Sequence, residues 1–240
     1  MKVNRITKAV RKLLPLRHCG AVIVAAGNAS RMGGIDKVLA PLGGEPVILR
    51  TIRAFARCDA IKEIVVVTRP DLILKLMELC APFEKVTAVV AGGADRAASV
   101  RAGMNAMKNR TGLVAVQDGA RPLITEQVID RTVRAANTYG AAAPAVPVKD
   151  TVKTVRGGVV VDTPERSALQ AVQTPQVFDF DLLRGALKKA AADGAQITDD
   201  CSAVERMGMA VKIVEGDERN LKITTPLDLK IAELFLEEMK

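Results

Sequence analysis

Short runs of apolar residues recur along the chain, separated by longer segments in which apolar and polar positions alternate with helical spacing. Runs of four to six apolar residues predict strands buried on both faces. The longer segments predict amphipathic helices that cover such a sheet. The predicted strands are 21–25, 64–68, 86–90, 113–116, 141–146 and 211–214, and the predicted helices are 46–55, 71–79, 97–107, 125–137, 179–192, 199–207 and one beginning at 225. We therefore expect an α/β fold, a Rossmann-like three-layer sandwich with a mostly parallel central sheet.

Two of these helix starts carry capping signals. Asp71 is placed to cap the second helix, because a carboxylate at that position accepts from exposed backbone N–H groups. Thr225 is placed to cap the last helix, with Pro226 at its first position and Asp228 in its first turn.

The alternation of strands and helices is interrupted between residues 151 and 162. Two valine-containing segments flank the pair Gly157-Gly158, a pattern typical of a β-hairpin. Because the hairpin breaks the α/β order, we expect it to project from the body as an arm. Exposed hairpin edges invite association unless something pairs with them. Pairing with a second copy of the chain would protect these edges, so we expect a homodimer through the β-arm.

A glycine-rich segment follows the first predicted strand and carries two cations. Gly27, Gly33 and Gly34 let the backbone turn tightly, and Arg31 and Lys37 stand in the same short loop. Loops at the carboxyl ends of parallel strands are where open α/β sheets bind nucleotides, so this loop is suited to a polyphosphate. It matches neither the P-loop nor the dinucleotide fingerprint. The alternative is an ordinary strand-to-helix connection with two solvated basic residues.

Further polar residues stand where later predicted strands end. Gly93, Arg96 and Ser99 follow the third strand, and Asp118 follows the fourth. Since parallel strands end at one edge of a sheet, we expect these residues to converge with the glycine-rich loop. A carboxylate such as Asp118 is suited to hold magnesium together with substrate phosphates. Taken singly, the alternatives are a helix cap, a turn or a solvated charge; together the residues describe a pocket for a phosphorylated ligand.

Composition and charge exclude some partners. The 240 residues are 49% hydrophobic but only 2% aromatic, which leaves little to stack on single-stranded bases. Six of the eight net positive charges lie in residues 1–19, so the remaining body carries only +2 and we expect no nucleic-acid partner. We divide the chain into a basic N-terminal extension, residues 1–19, and a single domain, residues 20–240.

Chemistry based on histidine or on paired cysteines is disfavoured. His18 is the only histidine and precedes the first strand, on the side away from that strand's carboxyl end. The four cysteines include no close pair, which excludes a CxxC motif and fits free thiols in a reducing cytosol. Residues 3–14 have the spacing of a basic amphipathic helix, which suits an anionic membrane surface, but we favour a loosely packed terminus. With no signal-peptide or transmembrane pattern, we expect a cytoplasmic protein without stable membrane insertion.

Seven short motifs follow one another along the chain. They are Ala25-Ala26-Gly27-x-x-x-Arg31-Met32, Gly92-Gly93-x-x-Arg96-x-x-Ser99, Asp118-Gly119-Ala120-Arg121-Pro122, Pro147-Val148-Lys149-Asp150-Thr151, Gln173-Thr174-Pro175-Gln176, Ile197-Thr198-Asp199-Asp200 and Asn220-Leu221-Lys222-Ile223-Thr224. No one motif is decisive, but their order and spacing are specific. From about residue 21 to its C-terminus, the chain resembles the 2-C-methyl-D-erythritol 4-phosphate cytidylyltransferases, nucleotidyltransferases of the non-mevalonate isoprenoid pathway.

The resemblance implies a reaction in which CTP and 2-C-methyl-D-erythritol 4-phosphate give 4-diphosphocytidyl-2-C-methyl-D-erythritol and pyrophosphate. The acceptor phosphate would attack the α-phosphorus of CTP directly, with no covalent enzyme intermediate. By the same resemblance, Arg31 and Lys37 would stabilise charge on the triphosphate, and Arg166 and Lys222 would hold the acceptor phosphate. Asp118 would hold the magnesium cofactor.

The resemblance also assigns the other substrate contacts. The residues implied for CTP are Ala25, Ala26, Gly27, Gly93, Arg96 and Ser99, and those for the acceptor are Thr151, Arg166, Thr174, Thr198 and Lys222. A backbone carbonyl that accepts from the cytosine amino group would reject uracil. Residues 147–172 match the family's dimerisation arm, so some acceptor residues would serve the neighbouring subunit.

The chain departs from the family pattern at three positions. Ser30 replaces a basic residue, Asp36 replaces a proline before Lys37, and Gln117 replaces a frequent histidine. An alternative is a related cytidylyltransferase that uses another polyol phosphate, such as ribitol 5-phosphate. A more distant alternative is a non-catalytic nucleotide- or RNA-binding protein that uses the basic extension.

Overall fold

A computed structural model describes residues 15–27, 36–108 and 111–238 of the chain. Most of the basic extension and Arg31 lie outside the described residues. The strands are β1 (Cys19–Ala25), β2 (Pro41–Leu42), β3 (Glu45–Pro46), β4 (Ile61–Thr68), β5 (Val86–Ala91), β6 (Leu113–Asp118), β7 (Ala141–Pro147), β8 (Thr154–Arg156), β9 (Val159–Asp162), β10 (Gln170–Val172), β11 (Gln176–Asp179) and β12 (Lys212–Glu215). The helices are α1 (Val47–Arg57), α2 (Ile73–Cys80), α3 (Arg96–Ala106), α4 (Glu126–Tyr139), α5 (Phe180–Ala192), α6 (Asp200–Glu205) and α7 (Pro226–Glu238).

Within the described ranges, the central sheet contains eight strands and is mostly parallel. Strands β6, β1, β4 and β5 lie side by side in parallel register, so their carboxyl ends share one edge. Strand β11 is antiparallel and lies between β6 and β7. Strand β10 continues antiparallel pairing along β7, and β12 pairs with β7 in parallel.

The core lies on both faces of this sheet because successive side chains of each strand point to opposite sides. Ala21 and Ile23 of β1 pack in a cluster with α1 and α4, whereas Val22, between them, packs in a cluster with α3 and α5. Helices therefore cover both faces, and the predicted three-layer α/β sandwich is confirmed.

The structure corrects several element boundaries. The second helix begins at Ile73, after a 3₁₀ turn over Pro70–Leu72. No side chain of a described residue caps it, so the prediction of Asp71 as its cap is wrong. Strand β6 continues to Asp118. The last helix begins at Pro226 and Thr225 Oγ1 accepts from the Asp228 N–H at 3.3 Å, as predicted.

Two antiparallel strands, β10 and β11, were not predicted from the apolar pattern. Strand β11 contains only two apolar residues, Val177 and Phe178, between polar ones, although both are fully buried. Such a short run carries no clear period.

The predicted hairpin forms a two-stranded sheet of its own from β8 and β9. Gly157 and Gly158 make its turn with φ of 55° and 81°, a backbone conformation that suits glycine. Valine side chains of the hairpin are more than half exposed at 155, 159, 160 and 161. The arm therefore presents an apolar surface that the described part of this chain does not cover.

A third apolar cluster joins the C-terminal part of the chain to the sheet edge. Leu42, Leu123, Ile223 and Ala232 are buried together, and Ala232 belongs to α7. The Ile223 N–H also donates to the Ala120 carbonyl at 2.8 Å, which holds the segment before α7 against the loop after β6. Within the described residues, we find no helix with the length and apolar character needed to cross a membrane.

Candidate active site

A cavity of about 400 Å³ opens at the carboxyl ends of β1 and β6. Most of its walls come from loops that follow strands of the sheet, as expected for an open α/β sheet. The lining residues include Ala25, Ala26, Gly27, Lys37, Gly93, Asp95, Arg96, Ser99, Asp118 and Lys222. The cavity therefore combines backbone-rich walls with several charged side chains.

The loop after β1 and the loop after β5 approach each other closely at one wall. A Cβ placed on Gly92 would lie 2.6 Å from the Ala26 Cβ and 2.8 Å from Ser99 Oγ, so the position admits no side chain. Lys37 lies near the start of the β1 loop, with Nζ 3.8 Å from where a Cβ on Gly27 would stand. Glycine at position 92 thus permits the close approach of the two loops that form this wall.

The start of α3 is fixed by its own side chains. Asp95 caps the helix by accepting from the Ala98 N–H at 2.7 Å. Ser99 is buried; its hydroxyl donates to the Asp95 carbonyl at 2.9 Å and accepts from the Gly93 N–H at 3.1 Å. This arrangement gives the Gly93 wall a single defined shape.

Asp118 is the centre of a buried charge cluster at the base of the cavity. Its carboxylate receives Arg96 Nη1 at 2.8 Å, Lys222 Nζ at 3.0 Å and Arg121 Nε at 3.4 Å. Burial alone would raise the pKa of Asp118, but the charges of Arg96, Lys222 and Arg121 outweigh burial and hold it well below its usual range. Asp118 is therefore ionised at neutral pH.

Arg96 joins Asp118 to a second carboxylate. Asp200 Oδ2 accepts from Arg96 Nη2 at 2.8 Å and from Arg96 Nε at 3.1 Å. Burial lowers the pKa of Arg96, but Asp200 and Asp118 outweigh it, so that the pKa is raised. Asp200 is fully buried, and its Oδ1 has no hydrogen-bond partner among the described residues. Burial raises the pKa of Asp200 despite the charge of Arg96. The guanidinium is therefore fixed from two sides.

The Lys222 segment is attached to the same base by a polar network. Asn220 Nδ2 donates to the Thr174 carbonyl at 3.0 Å and to Gln173 Oε1 at 3.2 Å. Arg121 Nη1 donates to the Asn220 carbonyl at 2.6 Å. Thr174 Oγ1 accepts from the Asp118 N–H at 3.1 Å. Loops 173–176 and 220–224 are thereby tied to the end of β6.

The carboxylates at the cavity determine which kind of metal site it can form. Among the described residues, no three His, Cys, Asp or Glu side chains group together. Asp118 is the carboxylate that lines the base of the cavity beside three cations. Such a set fits magnesium that arrives with substrate phosphates, since magnesium commonly takes one or two carboxylates and completes its sphere with phosphate and water.

Comparisons with known proteins decide the family. Residues 19–238 match the family model described as IspD, 2-C-methyl-D-erythritol 4-phosphate cytidylyltransferase. The chain belongs to this family. A relative of that name from Symbiobacterium thermophilum is 48% identical over 219 residues, covering 90% of this chain and 92% of the relative. Another from Caldanaerobacter subterraneus subsp. tengcongensis is 45% identical, covering 92% of this chain and all of the relative.

Solved structures agree with this family membership. The crystal structure of 4-diphosphocytidyl-2C-methyl-D-erythritol synthase from Anaerococcus prevotii has a TM-score of 0.84 and 30% identity, covering 92% of this chain and 96% of that one. The 2-C-methyl-D-erythritol 4-phosphate cytidylyltransferase from Thermus thermophilus has a TM-score of 0.74 and 33% identity, covering 92% and 99%. The resemblance found in the motifs is confirmed.

Most of the described site residues implied by the cytidylyltransferase resemblance lie at the cavity, and three lie away from it. Those that line the cavity are Ala25, Ala26, Gly27, Lys37, Gly93, Arg96, Ser99, Asp118 and Lys222. Thr174 is buried directly beside Asp118. Thr151, Arg166 and Thr198 are exposed and lie outside the set of described residues that line this cavity, and Arg166 donates to the Lys149 carbonyl at 3.0 Å.

Three residues of the charge cluster were missed as site residues. Arg121 and Asn220 stand within motifs of the cytidylyltransferase pattern, and their spacing from Asp118 and Lys222 was the available signal. Asp200 stands within the motif Ile197-Thr198-Asp199-Asp200, next to the aspartate that caps α6, but no role was predicted for it. Nothing in its local sequence indicates that it is buried against Arg96.

Proposed function

We propose that this chain transfers the cytidylyl group of CTP to 2-C-methyl-D-erythritol 4-phosphate. The observation that carries the proposal is the convergence of Lys37, Arg96, Lys222 and Asp118 on one cavity whose walls are glycine-rich backbone. Cations and exposed amides suit a triphosphate, and family membership supports the choice of nucleotide and acceptor.

The proposed reaction is a direct displacement. An oxygen of the acceptor phosphate forms a bond to the α-phosphorus of CTP, and the bond from that phosphorus to its bridging oxygen breaks. Pyrophosphate leaves with the electron pair, so atoms and charge balance without a protein nucleophile. Lys37 and Arg31 stabilise the charge on the phosphates. The arginine can bridge two phosphate oxygens, whereas the lysine acts as a point charge.

The residues present also argue against a covalent intermediate. His18 is exposed and precedes β1, at the end of the strand opposite the cavity. All four cysteines are buried, and burial raises the pKa of Cys201. Positioning and charge stabilisation are then the main sources of catalysis.

Magnesium is the proposed cofactor, with Asp118 as its protein ligand. When bound, the ion neutralises charge on the triphosphate. Arg96, anchored by Asp200, holds Asp118 Oδ1, and Lys222 lies on the Oδ2 side. In the proposed reaction, Lys222 binds the acceptor phosphate. Recognition of cytosine is assigned to the Gly93 and Ser99 wall together with the backbone at Ala25 and Ala26.

We further propose a homodimer through the arm, residues 147–172. Its support is the apolar surface of β8 and β9, whose valines lie exposed on a single chain. Arg166 and Thr151 stand on this exposed arm rather than at the cavity of their own chain. In the proposed dimer, they complete the acceptor site of the neighbouring subunit. Four free thiols support the further proposal of a reducing, cytoplasmic location.

The proposed function is tested by pyrophosphate release from CTP and magnesium with a panel of alcohol phosphates. We expect the fastest turnover with 2-C-methyl-D-erythritol 4-phosphate and formation of its cytidine diphosphate derivative. Faster turnover of ribitol 5-phosphate would favour the alternative acceptor. Binding of CTP without turnover of any acceptor would favour the non-catalytic alternative.

A pair of lysine variants tests the site itself. Lys222→Met removes the cation 3.0 Å from Asp118 and should lower turnover by about 100-fold, the scale of losing one group that stabilises developing charge. Lys230→Met removes an exposed lysine from α7 and should leave turnover unchanged. Equal kinetics for the two variants would contradict the assignment of Lys222.

A further inference from the structure

The turn that carries Lys37 is held by an ion pair on its outer side. Asp36 Oδ2 accepts from Arg69 Nη2 at 2.6 Å, and both side chains are largely buried, with 21% and 25% exposed. The other carboxylate oxygen of Asp36 accepts from the Val38 N–H at 3.1 Å. Asp36 thus connects the backbone around Lys37 to the residue that follows β4.

The far side of Lys37 is fixed as well. Val38 is buried, and its carbonyl accepts from the Ile48 N–H at 3.0 Å. The Ala40 carbonyl accepts from the Val47 N–H at 3.0 Å, and the Asp36 carbonyl accepts from the Ala40 N–H at 2.8 Å. The turn from 36 to 40 is therefore fixed at α1 on one side and at Arg69 on the other.

Arg69 also contacts a second, exposed carboxylate. Asp71 accepts from Arg69 Nε and Nη2, both at 3.2 Å. The contacts with Asp71 and then Asp36 raise the pKa of Arg69. Arg69 and Asp71 stand outside the set of described residues that line the cavity. Arg69 and Asp71 can therefore act on a ligand in this cavity through the turn 36–40, which carries Lys37.

We infer that Asp36 and Arg69 are positioning residues for Lys37: their ion pair fixes the turn so that the lysine ammonium faces the triphosphate. The inference rests on the proposed function, because it needs Lys37 to contact phosphates of CTP. Where the family pattern has proline, this chain fixes the backbone before the lysine with an ionic contact to the end of β4.

The test is the affinity for CTP in the presence of magnesium, measured by calorimetry without acceptor. Asp36→Asn keeps a side-chain oxygen for the Val38 N–H but removes the charge that pairs with Arg69. We expect CTP to bind about tenfold more weakly, the scale of losing one contact to a charged group. In a Lys37→Ala background the same substitution should have no further effect, because the lysine that it positions is gone.

The matched control is Asp71→Asn, which removes the other partner of the same arginine and leaves the 2.6 Å contact to Asp36 in place. This variant should bind CTP almost as the wild type does. Arg69→Met tests the pair from the other side and leaves the Asp36 contact with the Val38 N–H intact, so it serves if Asp36→Asn fails to fold. It should reproduce the tenfold loss.

Two results would overturn the inference. Wild-type affinity in both Asp36→Asn and Arg69→Met would show that the pair does not position the lysine. A full tenfold loss from Asp36→Asn in the Lys37→Ala background would show that Asp36 acts by another route. If the wild type itself binds no CTP, the proposed function fails together with the inference. If the wild type binds CTP and forms product, either of the two results above contradicts the positioning role alone.

Discussion

Replacing Asp118 with asparagine tests whether the charge cluster at the base of the cavity holds the site together. The substitution keeps the side-chain shape but removes the negative charge shared by Arg96 at 2.8 Å, Lys222 at 3.0 Å and Arg121 at 3.4 Å. Its amide group also turns N–H donors toward one of these cations. Three positive charges are then left close together with reduced compensation.

The magnitude follows from burial, because the Asp118 side chain is only 8% exposed. Removing one partner of a buried ion pair costs about 3–5 kcal/mol. For a chain of this length, each kcal/mol shifts the melting temperature by about 2–4 °C, so we expect a drop of about 6–20 °C. Since Asp118 is also the proposed magnesium ligand, turnover should fall by at least about 100-fold.

The assay combines thermal unfolding followed by circular dichroism with CTP turnover at saturating magnesium, both at pH 7. Asp181→Asn is the matched control, because Asp181 pairs with Arg184 on the exposed surface of α5. Exposed pairs contribute little, so the control should keep its melting temperature and its turnover. An Asp118→Asn protein with an unchanged melting temperature would refute the cluster argument, and one with unchanged turnover would refute the role of Asp118 in catalysis.

Three further predictions concern pH, packing and assembly. Because folding lowers the pKa of Asp118, the ionised carboxylate stabilises the fold above its ordinary pKa of 3.8, and this stabilisation is lost as the pH falls below that value. The difference in melting temperature between the wild type and Asp118→Asn should therefore become smaller on acidification. A difference that stays constant with pH would contradict this prediction. Gly103→Ala should lower the free energy of unfolding, measured with denaturant, by about 1–3 kcal/mol, because a Cβ at position 103 would lie 2.4 Å and 2.8 Å from two valine side chains of the sheet. Gly185→Ala on α5, where a Cβ would meet open space, should raise it by about 0.5–1 kcal/mol. Equal changes in the two variants would exclude close packing at position 103. Val160→Asp on the arm should give monomers in analytical ultracentrifugation, whereas Leu74→Asp on the exposed face of α2 should leave the protein dimeric. Dimers in both variants would exclude the arm as the interface.

The strands and helices with a clear periodic pattern of apolar residues were predicted from the sequence, and so was the edge of the sheet at which the parallel strands end. Strand β1 and Asp118 at the end of β6 were placed correctly because parallel strands finish on the same side. Most of the glycine-rich loop, residues 28–35, lies outside the described residues. The antiparallel strands β10 and β11 were not predicted, because Val177 and Phe178 form too short an apolar run. Their burial depends on neighbours that are distant in sequence.

The convergence of Arg96 with Asp118 was expected from topology, and a phosphate-binding role for Lys222 from the family resemblance, but the partners of Arg96 were not predicted. Taken alone, Arg96 suited a helix start with a solvated charge. The structure instead buries it between Asp118 and Asp200, a residue 104 positions away in the sequence. A pairing of that kind depends on a tertiary contact between the starts of α3 and α6, which the local sequence around either residue does not indicate.

The measurement that tests the central claim most directly is the stereochemical course at the α-phosphorus. CTP that carries sulfur in place of one α-oxygen, supplied as a single diastereomer, is converted with 2-C-methyl-D-erythritol 4-phosphate and magnesium. A cavity that only positions the two phosphates for direct displacement predicts inversion of configuration in the product. Retention would reveal two successive displacements through a covalent enzyme intermediate and would contradict the account.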